Sequence, residues 1–131
     1  MNDDAPTTTE WIAKAESDFG NAEVVLQHGK EHVVETVCFH SQQCAEKYLK
    51  AFLQENKTSF PRTHSLIALK ELCIAIDDTF ENLHDILSAL DHYSVAVRYP
   101  GSTATRPMAE TAFANATQVR TFVRRKLNLP D

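Results

Sequence analysis

The stretch CFHSQQCAEKYLKAFL, residues 38–53, decides the fold. At 100° per residue, Val34, Val37, Ser41, Ala45, Tyr48 and Phe52 fall on one face of a helix running from about Val33 to Asn56. His40, Gln43, Lys47 and Lys50 lie within about 80° of one another on a flank of that face. Phe39 and Leu53 project from the far side together with Glu46. A helix with apolar residues on its outer face is either central in a bundle or shared with a second chain. The pattern favours a homodimer contact at Phe39, Glu46 and Leu53, and a central place within one bundle is the alternative that explains the same pattern.

Working outward, the flanking segments also carry helical period. Thr7-x-x-Glu10 reads as a capping box that opens a helix ending near Gly29, with Trp11, Ala15, Phe19, Ala22 and Leu26 recurring on one stripe. After the loop at Pro61, Thr63 or Ser65 caps a third helix through about Ile76. Asp77 or Asp78 caps a fourth, with Phe80, Leu83, Leu87, Leu90, Ser94 and Val97 as its stripe. RYPGSTATRP (98–107), with two prolines and a glycine, is a loop. A last helix from about Pro107 to Leu127 turns Ala109, Ala112, Ala116, Val119 and Val123 inward. The expected fold is all-α: one domain over residues 1–131, an antiparallel up-and-down bundle of about five helices, with residues 1–6 a disordered N-terminus.

Composition narrows the function classes. With 131 residues, 43% hydrophobic and 24% charged, the chain matches a soluble globular domain with one core. MNDDAPTTTE is acidic and polar, unlike a secretory leader, and no apolar run approaches the roughly 20 residues that cross a bilayer. Cys38, Cys44 and Cys73 read as reduced thiols, so a cytoplasmic location is expected. The net charge of −5 is unevenly spread, with +5 on residues 98–126 against −9 on residues 1–97. A polyanion would approach the C-terminal third; alternatively, those cations serve their own helix end. His40 and Cys44 share a helical face, but no further ligands accompany them, and neither metal nor cofactor is expected.

CFHSQQCAEKYLKAFL is similar to the signature second helix of HEPN domains, where F-H-x-Q-Q-x-x-E-K-x-L-K recurs. FPRTHSLIALKEL (60–72) resembles the family's P-x-T-H-x-L segment, and Tyr93–Pro100, ending in RYP, resembles its fourth-helix terminus. Trp11 and the A-x-x-D-F run of the first helix fit as well, so the likeness covers almost the whole chain in one register. The resemblance implies a helical bundle that commonly dimerises and often pairs with a minimal nucleotidyltransferase in toxin–antitoxin or related settings. Many of its members are metal-independent ribonucleases that use an arginine separated from a following histidine by four to six residues. Here the positions so spaced from Arg98 are Thr103, Ala104 and Thr105; from Arg106, Thr111, Ala112 and Phe113; from Arg62, Ile67, Ala68 and Leu69. No arginine has its histidine, and the enzyme reading becomes the alternative.

The candidate ligand residues are Arg98, Tyr99, His40, Gln43, Lys47, Lys50 and His64. The Arg98 guanidinium can grip phosphate and the Tyr99 ring can stack on a base; equally, Arg98 can cap the carbonyls that end its helix. His40 can donate to phosphate or act as a base, or serve as a hydrogen-bonded structural residue. Lys47 and Lys50 fit phosphate contact, although solvated lysines are common on helices, and Glu46–Lys50 has ion-pair spacing. His64 can bind or can fix the entry to the third helix. The leading expectation is a module that binds a nucleotide or RNA phosphate and partners a nucleotidyltransferase. A divergent ribonuclease and an inert dimerisation adaptor are the alternatives.

Overall fold

The computed structural model describes residues 5–30, 33–94, 100–101 and 103–131. Five α-helices form the bundle: α1 (Thr8–His28), α2 (Val34–Glu55), α3 (Leu66–Ile74), α4 (His84–Asp91) and α5 (Arg106–Lys126). There are no strands among the described residues.

Local chemistry sets the helix ends. The Thr7 hydroxyl accepts from Glu10 N–H and the Glu10 carboxylate accepts from Thr7 N–H, closing the capping box that starts α1. Ser65 caps α3 by accepting from Ala68 N–H, while Thr63 accepts from Ser65 N–H one step earlier. Thr105 caps α5, with Pro107 in its first turn where no N–H is needed. The fourth helix departs from expectation. Asp77 does cap it, but the first six residues, Asp78–Leu83, wind as a 3-10 helix before α4 begins. Phe80 and Leu83 are both buried, and the three-residue turn places residues at that spacing directly above one another. A second short 3-10 turn, His92–Ser94, follows α4. Val97, the last residue of the expected stripe, lies outside the described residues.

The hub is α2, which packs on α1, α3, α4 and α5. Fourteen of its twenty-two residues are buried, more than one face of a helix can supply. Leu53 is completely covered and Glu46 is 2% exposed, both within this one chain. The expectation that they project outward is therefore corrected: α2 is central, and its own bundle accounts for the apolar far side. Antiparallel packing brings the start of α1 to the end of α2, where the Thr8 hydroxyl donates to Glu55 at 3.0 Å. The aromatic cluster Phe52–Phe80–Phe122, with centroids 4.4 and 5.0 Å apart, ties α2 to the 3-10 segment and α5.

Candidate functional site

Because neighbours surround α2, the strip they leave uncovered is narrow. Between Thr36 and Gln54 the partly exposed residues are Thr36, Phe39, His40, Gln43, Lys47 and Gln54. These positions fall within an arc of about 100°. Four of the sequence-predicted residues (Phe39, His40, Gln43 and Lys47) sit on this strip.

Asp18 of α1 organises it. Asp18 is 7% exposed and stands on the buried stripe between Ala15 and Ala22. His40 Nδ1 lies 2.7 Å from Oδ1, and Lys47 Nζ donates to Oδ2. Burial alone would raise the Asp18 pKa, but the hydrogen bonds from His40 and Lys47 and the lysine charge outweigh it and hold the carboxyl below its ordinary value. An ionised carboxylate only accepts, so His40 carries its proton on Nδ1 and presents Nε2 as the nitrogen not held by Asp18. One α1 carboxylate thus fixes two α2 side chains, each about one-fifth exposed.

Lys50 does not join them. It is 7% exposed, bonded to Glu46 at 3.0 Å and turned toward the Trp11 and Phe60 rings. Glu46 also receives His64 Nδ1 at 3.0 Å, and buried Gln42 donates to the His64 carbonyl at 3.0 Å. Glu46 therefore anchors the loop before α3 rather than a partner chain. His64 itself is largely exposed on that loop, and Gln43 links the two groups by donating to Gln42 at 2.7 Å. Arg98 and Tyr99 lie outside the described residues.

The basic C-terminal stretch is engaged internally. Arg120 grips Glu16 with two bonds of 2.8 Å, and Tyr48 donates to Glu16 at 2.7 Å. Arg124 donates to the Tyr48 oxygen, Lys126 pairs with Asp77 at 2.8 Å and Arg125 pairs with Asp131. Arg106 donates to the carbonyls of Leu26 and Gly29, which end α1, where a cation also complements the helix dipole. Each of these cations has an intramolecular acceptor, most of them outside α5 itself.

Two positions escaped sequence reasoning. Asp18 was visible only as part of A-x-x-D-F; its signal is an acidic residue three after Ala15 and four before Ala22, on the apolar stripe. Glu16, which joins α1 to Tyr48 and α5, carries no such mark. The three cysteines are buried and free, and burial pushes all three thiols up, Cys38 to about 11 and Cys73 to about 12, which disfavours the thiolate. Among the described residues no helix is long and apolar enough to cross a membrane, and no three His, Cys, Asp or Glu side chains are grouped to hold a metal.

The HEPN domain family model matches residues 8–126. Among solved structures, ST0689, an archaeal HEPN homologue, is 25% identical with a TM-score of 0.76 over 93% of this chain and 98% of its own. TT1696 from Thermus thermophilus is 26% identical with a TM-score of 0.75, covering 91% of this chain and 97% of its own. A search of the curated proteins finds no match.

Proposed function

Because the chain belongs to the HEPN domain family, we propose that it is a phosphate-binding and interaction module whose α2 strip receives a nucleotide or an RNA backbone. The observation that carries this reading is the convergence of His40 and Lys47 on Asp18 at the one part of α2 that the bundle leaves uncovered. Lys47 keeps N–H donors for a phosphate oxygen beyond its bond to Asp18, whereas His40 Nε2 can donate to one only in the imidazolium form. In this reading the module is cytoplasmic, forms a homodimer through the strip around Phe39, and partners a minimal nucleotidyltransferase in a toxin–antitoxin-like system. The reading keeps Arg98 and Tyr99, which lie outside the described residues, as further members of the ligand set.

The experiment is a titration of the labelled protein with nucleotides and with a short RNA, followed by NMR. Shifts centred on His40, Gln43 and Lys47, lost in Lys47→Ala, support the reading. Unperturbed resonances along the strip leave only the inert adaptor.

A second reading has its own observation. A histidine oriented by a carboxylate through Nδ1 is the arrangement of a general base. Cleavage of labelled RNA in the presence of a chelator, abolished by His40→Ala, would rank a divergent metal-independent ribonuclease first.

A further inference from the structure

The α2 strip offers more acceptors than donors for as long as His40 is neutral. The His64 carbonyl can only accept, so Gln42 must turn its amide nitrogen to it, at 3.0 Å, and its amide oxygen toward Gln43. Gln43 answers with its nitrogen at 2.7 Å, and its own oxygen, an acceptor, is the atom this chain of bonds leaves over. The Asp18 carboxylate acts on His40 in the same way. It takes the Nδ1 proton at 2.7 Å, which makes Nε2 of the neutral ring a second acceptor. Lys47, bonded to the other oxygen of Asp18, is then the one outward donor of the three side chains, and its charge is cancelled by that carboxylate. Phosphate oxygens only accept, so this form of the strip suits them poorly. One proton on Nε2 converts an acceptor to a donor and gives the strip a net positive charge.

The other titratable groups packed against this part of α2 are engaged elsewhere. Glu16 of α1 is held by Tyr48 and by Arg120 and Arg124 of α5. Glu46 faces Lys50 and His64, and Asp91 of α4 caps the start of α3. Burial keeps the thiols of Cys38 and Cys44 and the phenol of Tyr93 in their neutral forms, and His92 lies edge-on to Tyr93. We infer that the strip is a proton-gated anion site, in which a phosphate binds together with a proton taken up at His40. The inference rests on the reading of the strip as a phosphate site and adds how that site is regulated. Histidine ordinarily titrates between about pH 5 and pH 8, so binding strengthens on mild acidification and fades above neutrality.

The full chain is titrated with sulfate and with a short oligouridylate, whose own charges stay constant across this range. At constant ionic strength both should bind roughly tenfold or more tightly at about pH 6 than at about pH 8. Calorimetry near pH 8 in two buffers of different ionisation enthalpy should find close to one proton taken up for each ligand bound. On saturation the ring nitrogens of His40 should take on the imidazolium shifts. His40→Gln should hold the affinity at its weaker level at both pH values; the proton count and the nitrogen shifts need no variant. Equal affinity at the two pH values, or binding without proton uptake, overturns the inference and leaves the phosphate reading in place. A pH dependence that survives His40→Gln does the same, since the proton then belongs to another histidine such as His64 or His92. Failure of both probes to bind at either pH sinks the strip reading and this inference with it.

Discussion

The imidazole of His40 and the carboxylate of Asp18 meet at 2.7 Å through Nδ1, across the seam between α1 and α2. That contact dictates a tautomer: neutral His40 should carry its proton on Nδ1, opposite to the form free imidazole side chains prefer in water. Nitrogen chemical shifts of labelled protein near neutral pH read this directly. Asp18→Asn should return His40 to a mixture of tautomers and release Lys47. It should also destabilise the fold by about 2 kcal/mol, because charge-assisted bonds in a nearly buried setting are lost together. A His40 spectrum that is unchanged in the variant would refute the pairing.

Acid should weaken the bundle in a defined window. Burial opposes ionisation of Asp18, but its His40 and Lys47 partners win; for Glu16 the bond from Arg120 dominates, and Asp77, bonded by Lys126 and Thr79, is pulled down to about 2. All three groups have folded-state values below their ordinary ones of 3.8 and 4.5. A depressed carboxyl binds its proton more readily in the unfolded chain, so its stabilisation is complete above the unfolded value and is lost as pH falls through the folded one. Urea unfolding should therefore give nearly constant stability from about pH 6 down to about pH 5, then a decline from about pH 4.5 toward pH 2. Stability that rises as the solution is acidified through this window would contradict the assignment.

The parts of the fold legible in the sequence are those governed by neighbours along the chain. Thr7 with Glu10, Ser65, and Pro107 in its loop-to-helix setting mark helix starts because caps act over three or four residues. The stripe from Val34 to Phe52 reads correctly because period is a local property. What was hidden depends on how many neighbours wrap a helix. A wheel places Leu53 and Glu46 away from the stripe but cannot show that other elements cover that side too. The same limit applies to charge. Glu16 and Arg120 are 104 residues apart, and nothing local says that the basic end of α5 meets an acid from α1. In the site, His40 and Lys47 came from spacing alone, whereas Lys50, on the same flank, is diverted by Glu46.

The Glu16–Arg120 pair should behave as a bidentate clamp and not as a simple charge contact. Both bonds are 2.8 Å, Tyr48 adds a third to the same carboxylate, and the guanidinium lies 4.8 Å from the Phe19 ring centroid. Arg120→Lys keeps the charge but loses the fork and the flat stacking surface. It should cost about 1–2 kcal/mol in chemical denaturation, close to the cost of Arg120→Gln. In a cycle with Glu16→Gln the two changes should be strongly non-additive, since either one dissolves the same clamp. Additive effects would show that each residue is stabilised by something other than its partner.

Ser41 offers a prediction of the opposite sign. It lies on the core face of α2 with its side chain fully buried, and its hydroxyl has no partner among the described residues. A buried hydroxyl without a partner costs about 1–3 kcal/mol, and alanine has the better helix propensity. Removing one oxygen leaves a void too small to offset that gain, because a single atom forfeits few contacts. Ser41→Ala should therefore raise stability by about 1 kcal/mol and shift the midpoint of thermal unfolding upward by several degrees, on the order expected for a domain of this size. The same variant should leave ligand binding unaltered, as Ser41 faces away from the exposed strip of α2. A loss of stability would mean that the hydroxyl has a partner in solution, a buried water being the first to look for by proton exchange.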